Sequence, residues 1–104
     1  MTVFVVDKYV IKPEKQDEFV ALIKKMADYR KANPETFKEL KSWKLLSQWF
    51  GYTCMGMGQF DSLADIENYG TKVSEDKVYA KMWQDFMLLT VSATYSVNIW
   101  NDVM

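Results

Sequence analysis

Apolar residues recur along this chain in two different periods, and the switches between the periods mark its elements. From Val3 to Lys12 the chain is rich in β-branched and aromatic side chains, which predicts a strand. Pro13 then stops the strand while suiting the first turn of a helix. Phe19, Leu22, Ile23, Met26 and Tyr29 fall on one face at helical spacing. Glu14, Asp17 and Glu18 crowd the start of that segment, and Lys24, Lys25, Arg30 and Lys31 its end, which complements a helix dipole. The helix should run to about Lys31, before Asn33-Pro34 breaks it.

Two strand-like runs follow, Trp43 to Phe50 and Tyr52 to Phe60, joined as a hairpin near Gly51, whose freedom at positive φ suits a tight connection. Gly56 and Gly58, set among Met55 and Met57, weaken the second run and predict a bulge or a close backbone approach. Ser62 and Asp65 carry the spacing of a capping box at the entry of a second helix. Gly70 and Thr71 are expected to interrupt that helix. Ser74-Glu75-Asp76-Lys77 restarts it, with Val78, Tyr79, Met82, Trp83, Phe86 and Leu89 as a broad apolar face. From Ala93 the chain alternates again, Ala93, Tyr95, Val97 and Ile99 against Thr94, Ser96, Asn98 and Trp100, which predicts a last strand.

The order β-α-β-β-α-β predicts an α+β fold of ferredoxin-like type with an antiparallel sheet, and residues 1–104 suit a single domain. Two helical regions can cover only one face of a four-stranded sheet. The other face still carries aromatic and aliphatic residues, so a homodimer formed through the sheets is expected.

Composition narrows the function. Thirteen basic and fourteen acidic residues leave a formal charge of −1 with no long run of either sign, so neither nucleic acid nor a membrane surface is expected as a partner. The N-terminal residues lack a basic leader and a cleavage site and read as a strand. The single cysteine, Cys54, excludes an internal disulfide framework and suits a reducing cytoplasm. Flanked by Thr53 and Met55, it reads as an inert buried thiol. The chain has no histidine, which removes the commonest acid-base group and the commonest metal ligand together. Catalysis of the Ser-His or Cys-His type is excluded, no metal site is expected, and a histidine-ligated haem cannot form.

Taken with Val10-Ile11-Lys12-Pro13-Glu14 leading from the first strand into the first helix, this order of elements resembles the dimeric α/β-barrel superfamily. Within it the chain is most similar to the antibiotic-biosynthesis-type monooxygenases and their haem-degrading relatives. The resemblance implies a small dimer with a ligand cavity in each protomer. In the haem-degrading members an asparagine on the first strand faces that cavity, and Asp7 stands at the matching position. Their tryptophan from the second helical region is matched loosely by Tyr69. The stretch that carries their histidine ligand is occupied here by the neighbourhood of Trp83. Cofactor-free members, which oxidise polycyclic phenols, use asparagine, tryptophan and arginine. Arg30, the sole arginine, lies on the first helix, so that triad is not reproduced.

These readings give Asp7 and Tyr69 as candidate catalytic residues. If Asp7 faces the cavity, then Val3, Val5, Tyr9 and Ile11 share its side of the strand, and Phe4, Val6, Val10 and Lys8 face the helices. A carboxylate in an apolar wall has its pKa raised by desolvation and can accept a proton from a bound phenol. The structural alternative pairs Asp7 with a lysine at the sheet edge or the dimer interface. Tyr9, Trp43, Trp49 and Trp83 are the candidate substrate-binding residues, since aromatics stack on planar ligands. Trp43 and Trp49, sharing a face with Leu45 and Ser47, could equally fill the interface, and Trp83 could belong to the core. The seven methionines supply adaptable packing. The expected function is a monooxygenase-like enzyme, without cofactor, acting on a small hydrophobic aromatic substrate. The alternatives are a ligand-binding or assembly module of the same fold, and a haem-binding or haem-degrading protein that ligates iron without histidine.

Overall fold

The computed structural model describes residues 2–49 and 51–103, so Phe50, the expected end of the second strand, lies outside the described residues. The elements are β1 (Val3–Val10), α1 (Gln16–Ala32), β2 (Ser42–Ser47), β3 (Thr53–Phe60), α2 (Leu63–Glu75), α3 (Lys77–Leu89) and β4 (Ser96–Asn101). The strands form one antiparallel sheet in the order β2-β3-β1-β4. This is the expected α+β arrangement, with β1 and β3 central and the second helical region divided in two.

Alternation along β1 puts Val3, Val5, Asp7, Tyr9 and Ile11 on one side, as expected, but it is the side that the helices cover. Tyr9, Ile11 and Cys54 pack with Phe19 of α1 and with Phe86 and Leu89 of α3. Phe4, Val6 and Lys8, expected beneath the helices, instead line the opposite face with Met55 and Met57. A period of two states which residues share a side and leaves open which side the crossovers pack on. A second cluster, Met26, Phe37, Tyr79 and Met82, joins α1 to α3 farther along. Burying each large side chain of this kind stabilises the fold by roughly 1.5–3 kcal/mol.

Three local expectations are corrected, and the alternative left open at Gly56 and Gly58 is decided. The register of β3 against β1 runs unbroken from Val3↔Phe60 to Val10↔Thr53, so there is no bulge, and the two glycines serve the close approach instead. The β2–β3 connection occupies residues 48–52, and Gly51 does not have positive φ. Its missing side chain makes room for Gln48, whose Oε1 would stand 2.9 Å from a Cβ there. The chain of α2 passes through Gly70 without interruption and breaks at Asp76. A helical glycine costs only about 1 kcal/mol, whereas Asp76 offers a complete cap. Its carboxylate accepts from the Tyr79 backbone N–H at 3.1 Å and from the Tyr29 hydroxyl at 2.8 and 2.7 Å, which ties α1 to the junction. Finally, β4 begins at Ser96 rather than Ala93. Ala93 has φ 65°, in a turn where the Thr94 hydroxyl donates to the Val91 carbonyl and accepts from the Val10 N–H.

Ser62 caps α2 as its position implies, accepting from the Asp65 N–H at 3.1 Å. The segment between α1 and β2 is held by Glu39, buried and bonded through both carboxylate oxygens to Lys72 at 3.0 and 2.8 Å.

Candidate functional site

A cavity of about 210 Å³ opens between the sheet and the helices, lined by members of both core clusters, Tyr9 and Phe86 of one and Met26 and Tyr79 of the other. Its floor is the helix-facing row of β1 and β3, namely Val5, Asp7, Tyr9, Gly56 and Gly58. The glycines make the floor low. A Cβ on Gly58 would sit 3.0 Å from Leu40, and one on Gly56 would collide with Asp7 Oδ1 and lie 3.6 Å from Trp43 Nε1. Space that side chains would fill is thus given to Asp7 and Trp43 above Gly56 and to Leu40 above Gly58.

Asp7 is held from two sides. Its Oδ1 accepts from the Gly56 N–H at 3.0 Å and its Oδ2 from the Tyr95 hydroxyl at 3.0 Å. No lysine pairs with it among the described residues, so the alternative of an ion pair at the sheet edge is not what this chain adopts. Burial pushes its pKa above the usual 3.8, and the two hydrogen bonds oppose that shift without cancelling it. Burial together with the Asp7 charge raises the phenols of Tyr9 and Tyr95 as well. The result is one carboxylate and two protonated phenols in an apolar wall.

The wall is aromatic. Tyr9 meets Phe86 edge-on at 4.8 Å between ring centroids, Trp83 meets Phe86 at 5.0 Å, and Tyr95 stacks on Tyr9 at 6.0 Å. Tyr69 of α2 lines the far part of the cavity and packs edge-on against Phe60 at 5.2 Å. Tyr9, Trp43, Tyr69 and Trp83 are therefore brought around the same space as Asp7. Trp49 is not. It lies beyond the end of β2, is 84% exposed, and is outside the lining, because the alternation it was expected to share with Trp43 ends at Ser47.

Three further residues reach the cavity unforeseen. Tyr95, 88 positions from Asp7, is aimed by the turn before β4. From the sequence Arg30 is a helix-end charge and Tyr79 part of an apolar helix face. The guanidinium instead turns inward, lying 4.8 Å from the Trp43 ring centroid and donating to the Tyr79 hydroxyl at 3.0 Å. The one signal available in the sequence was the pair Gly56 and Gly58, on the face that had to be flat.

The donor set does not suit haem iron. Cys54 is buried outside the lining and its thiol is pushed up by burial, while burial and Tyr79 raise the Tyr69 phenol, away from the phenolate that a metal needs. Among the described residues no group of three His, Cys, Asp or Glu side chains could hold a metal ion, and no helix is long and apolar enough to cross a membrane.

Among solved structures, the chain superposes on SnoaB, a cofactor-independent oxygenase from Streptomyces nogalater, with a TM-score of 0.74. Identity to SnoaB is 10%, over 99% of this chain and 94% of that one. An antibiotic biosynthesis monooxygenase superposes with a TM-score of 0.75 at 12% identity, covering 98% of this chain and 99% of that one. The fold is that of the antibiotic-biosynthesis-type monooxygenases. A NIPSNAP family protein from Agrobacterium tumefaciens also superposes, with a TM-score of 0.75 at 15% identity over 98% of this chain and 86% of that one. At such identities the likeness is one of fold, and the fold carries more than one family name. No family model and no curated protein matches the sequence.

Proposed function

We propose that this chain is a monooxygenase-like enzyme that works without a cofactor on a small hydrophobic aromatic substrate, with Asp7 as the base. The observation that carries this reading is a lone carboxylate, with its pKa raised by burial, facing an aromatic-walled cavity. A phenol bound there gives its proton to Asp7 and becomes an electron-rich phenolate that reacts with molecular oxygen. One oxygen atom joins a ring carbon and the other leaves as water with two hydrogens from the substrate, so the substrate is the only reductant needed. Tyr95 holds the carboxylate in place and Tyr69 supplies a hydroxyl at the far wall. SnoaB, with the same fold, is described as a cofactor-independent oxygenase, which supports the reading by analogy.

Oxygen uptake with simple hydroquinones, in the presence of a chelator and with no flavin or haem added, tests it. Uptake is expected, and Asp7→Asn should lower its rate by about 10²–10⁴-fold. No uptake, together with a ligand carried through purification, would replace the enzyme by a binding module of the same fold.

A homodimer is part of this proposal. The sheet face away from the helices bears Phe4, Val6, Met55, Met57 and Trp100, the last 58% exposed, around a shallow concavity. A second copy offers the same apolar surface, and two such faces cover each other. Sedimentation equilibrium should give twice the chain mass at micromolar concentration, and a monomer mass independent of concentration would refute the pairing. The free Cys54 suits a reducing compartment such as the cytoplasm.

A further inference from the structure

Arg30 sits in the last turn of α1, where a cation ordinarily extends to solvent and complements the helix dipole, as Lys31 can do beside it. Its guanidinium instead lines the cavity. A guanidinium carries five N–H donors. One is committed to Tyr79, and the contact with the Trp43 ring face uses none. Among the described residues no carboxylate lies within ion-pair distance of Arg30, the ion pairs being those of Lys15, Lys41, Lys72 and Lys81. The Tyr79 hydroxyl accepts from Arg30, so its own proton remains to be donated to another group.

Asp7 is the counterpart of this cation in the same cavity, and the two do not pair. Both flank the Trp43 indole. Arg30 lies over its face, while its Nε1 is close to the point above Gly56 that Asp7 Oδ1 covers. One small molecule can therefore touch both. The volume limits its size, since a void of about 150 Å³ accepts a benzene ring and the 210 Å³ here adds room for substituents.

We propose that Arg30 and Tyr79 form an oxyanion-binding pole and that the ligand is a compact hydroxylated aromatic acid, its carboxylate on Arg30 and Tyr79 and its hydroxyl at Asp7. The proposal rests on the reading of the cavity as a ligand site. A planar fork with open donors matches a carboxylate, and in an apolar wall such charge-assisted hydrogen bonds are at their strongest.

Calorimetric titration of para-hydroxybenzoate and of phenol into the protein at neutral pH tests it. Wild type should bind para-hydroxybenzoate about 10–100-fold more tightly than phenol. Arg30→Gln should bring the acid to the level of phenol and leave phenol unchanged, and Arg30→Lys should restore part of the difference. Phenol reports whether the cavity survives. If Arg30→Gln loses both ligands, Tyr79→Phe takes its place, since it keeps the guanidinium and removes one donor, and it should narrow the preference. No preference in wild type, or one that persists in both Arg30→Gln and Tyr79→Phe, overturns the pole. Oxygen uptake is read separately. A carboxylate preference without uptake leaves the pole standing and removes the oxygenase, and uptake without the preference does the reverse.

Discussion

Gly56→Ala is expected to destabilise the protein by about 1–3 kcal/mol, more than its small change in size suggests. Gly56 faces Asp7 across the β1–β3 ladder, and its N–H donates to Asp7 Oδ1 at 3.0 Å. A methyl group on Gly56 would stand in the place of that oxygen. The carboxylate must then swing off its donor in a site walled by Tyr9, Trp43 and Tyr95, losing a charged hydrogen bond as it moves. The same substitution in an Asp7→Ala background puts the methyl group into vacated space and should cost little. Urea unfolding of the four proteins gives the coupling directly. If alanine at position 56 costs as much without the carboxylate as with it, the glycine is there for the backbone and not for Asp7.

That pairing also marks how far the sequence could be read. Strand and helix periods along Val3 to Val10 and Gln16 to Ala32 are local properties, and a four-stranded antiparallel sheet follows once their order is known. The doublet Gly56 and Gly58 is equally visible, and its meaning as a close approach rather than a bulge becomes plain only when Asp7 and Leu40 occupy the space. The choice of face was not legible, because alternation is symmetric and β1 is apolar on both sides. Gly70 misled because a glycine in a helix is a modest cost, easily outweighed where Asp76 caps the next helix and accepts from Tyr29. Arg30 and Tyr95 were beyond reach for another reason. Their roles depend on where a long side chain turns at the end of α1, and on a turn at Ala93 that aims a hydroxyl across the sheet. Such placements are products of the tertiary structure, with no periodic trace in the chain.

Asp7→Asn should raise the melting temperature near neutral pH by several degrees, each kcal/mol being worth about 4–8 °C in a domain of this size. Two effects compete. The carboxylate gains hydrogen bonds from Gly56 and Tyr95, and it loses hydration in an apolar wall. Loss of hydration is the larger, since the folded pKa lies above 3.8. An acid whose pKa is raised by folding favours the folded state fully below its unfolded pKa, and that favour is lost as pH rises through the folded value. Asparagine has nearly the shape of the protonated acid. Its oxygen can still accept from the Gly56 N–H, and its amide can donate to the Tyr95 oxygen. The gain over wild type should therefore be fullest where Asp7 is ionised in both the folded and the unfolded state, and fade as pH falls below the ordinary 3.8, where it is protonated in both. Asp76 and Glu39 titrate with the opposite sign, because Tyr29 and Lys72 hold their pKa values down and their stabilisation is lost as pH falls. They do so in both proteins and cancel in the difference. Thermal unfolding of the two proteins across that range separates a carboxylate kept at a cost from one kept for structure. In the second case asparagine lowers the melting temperature at every pH above the acid range, which would remove Asp7 from the site.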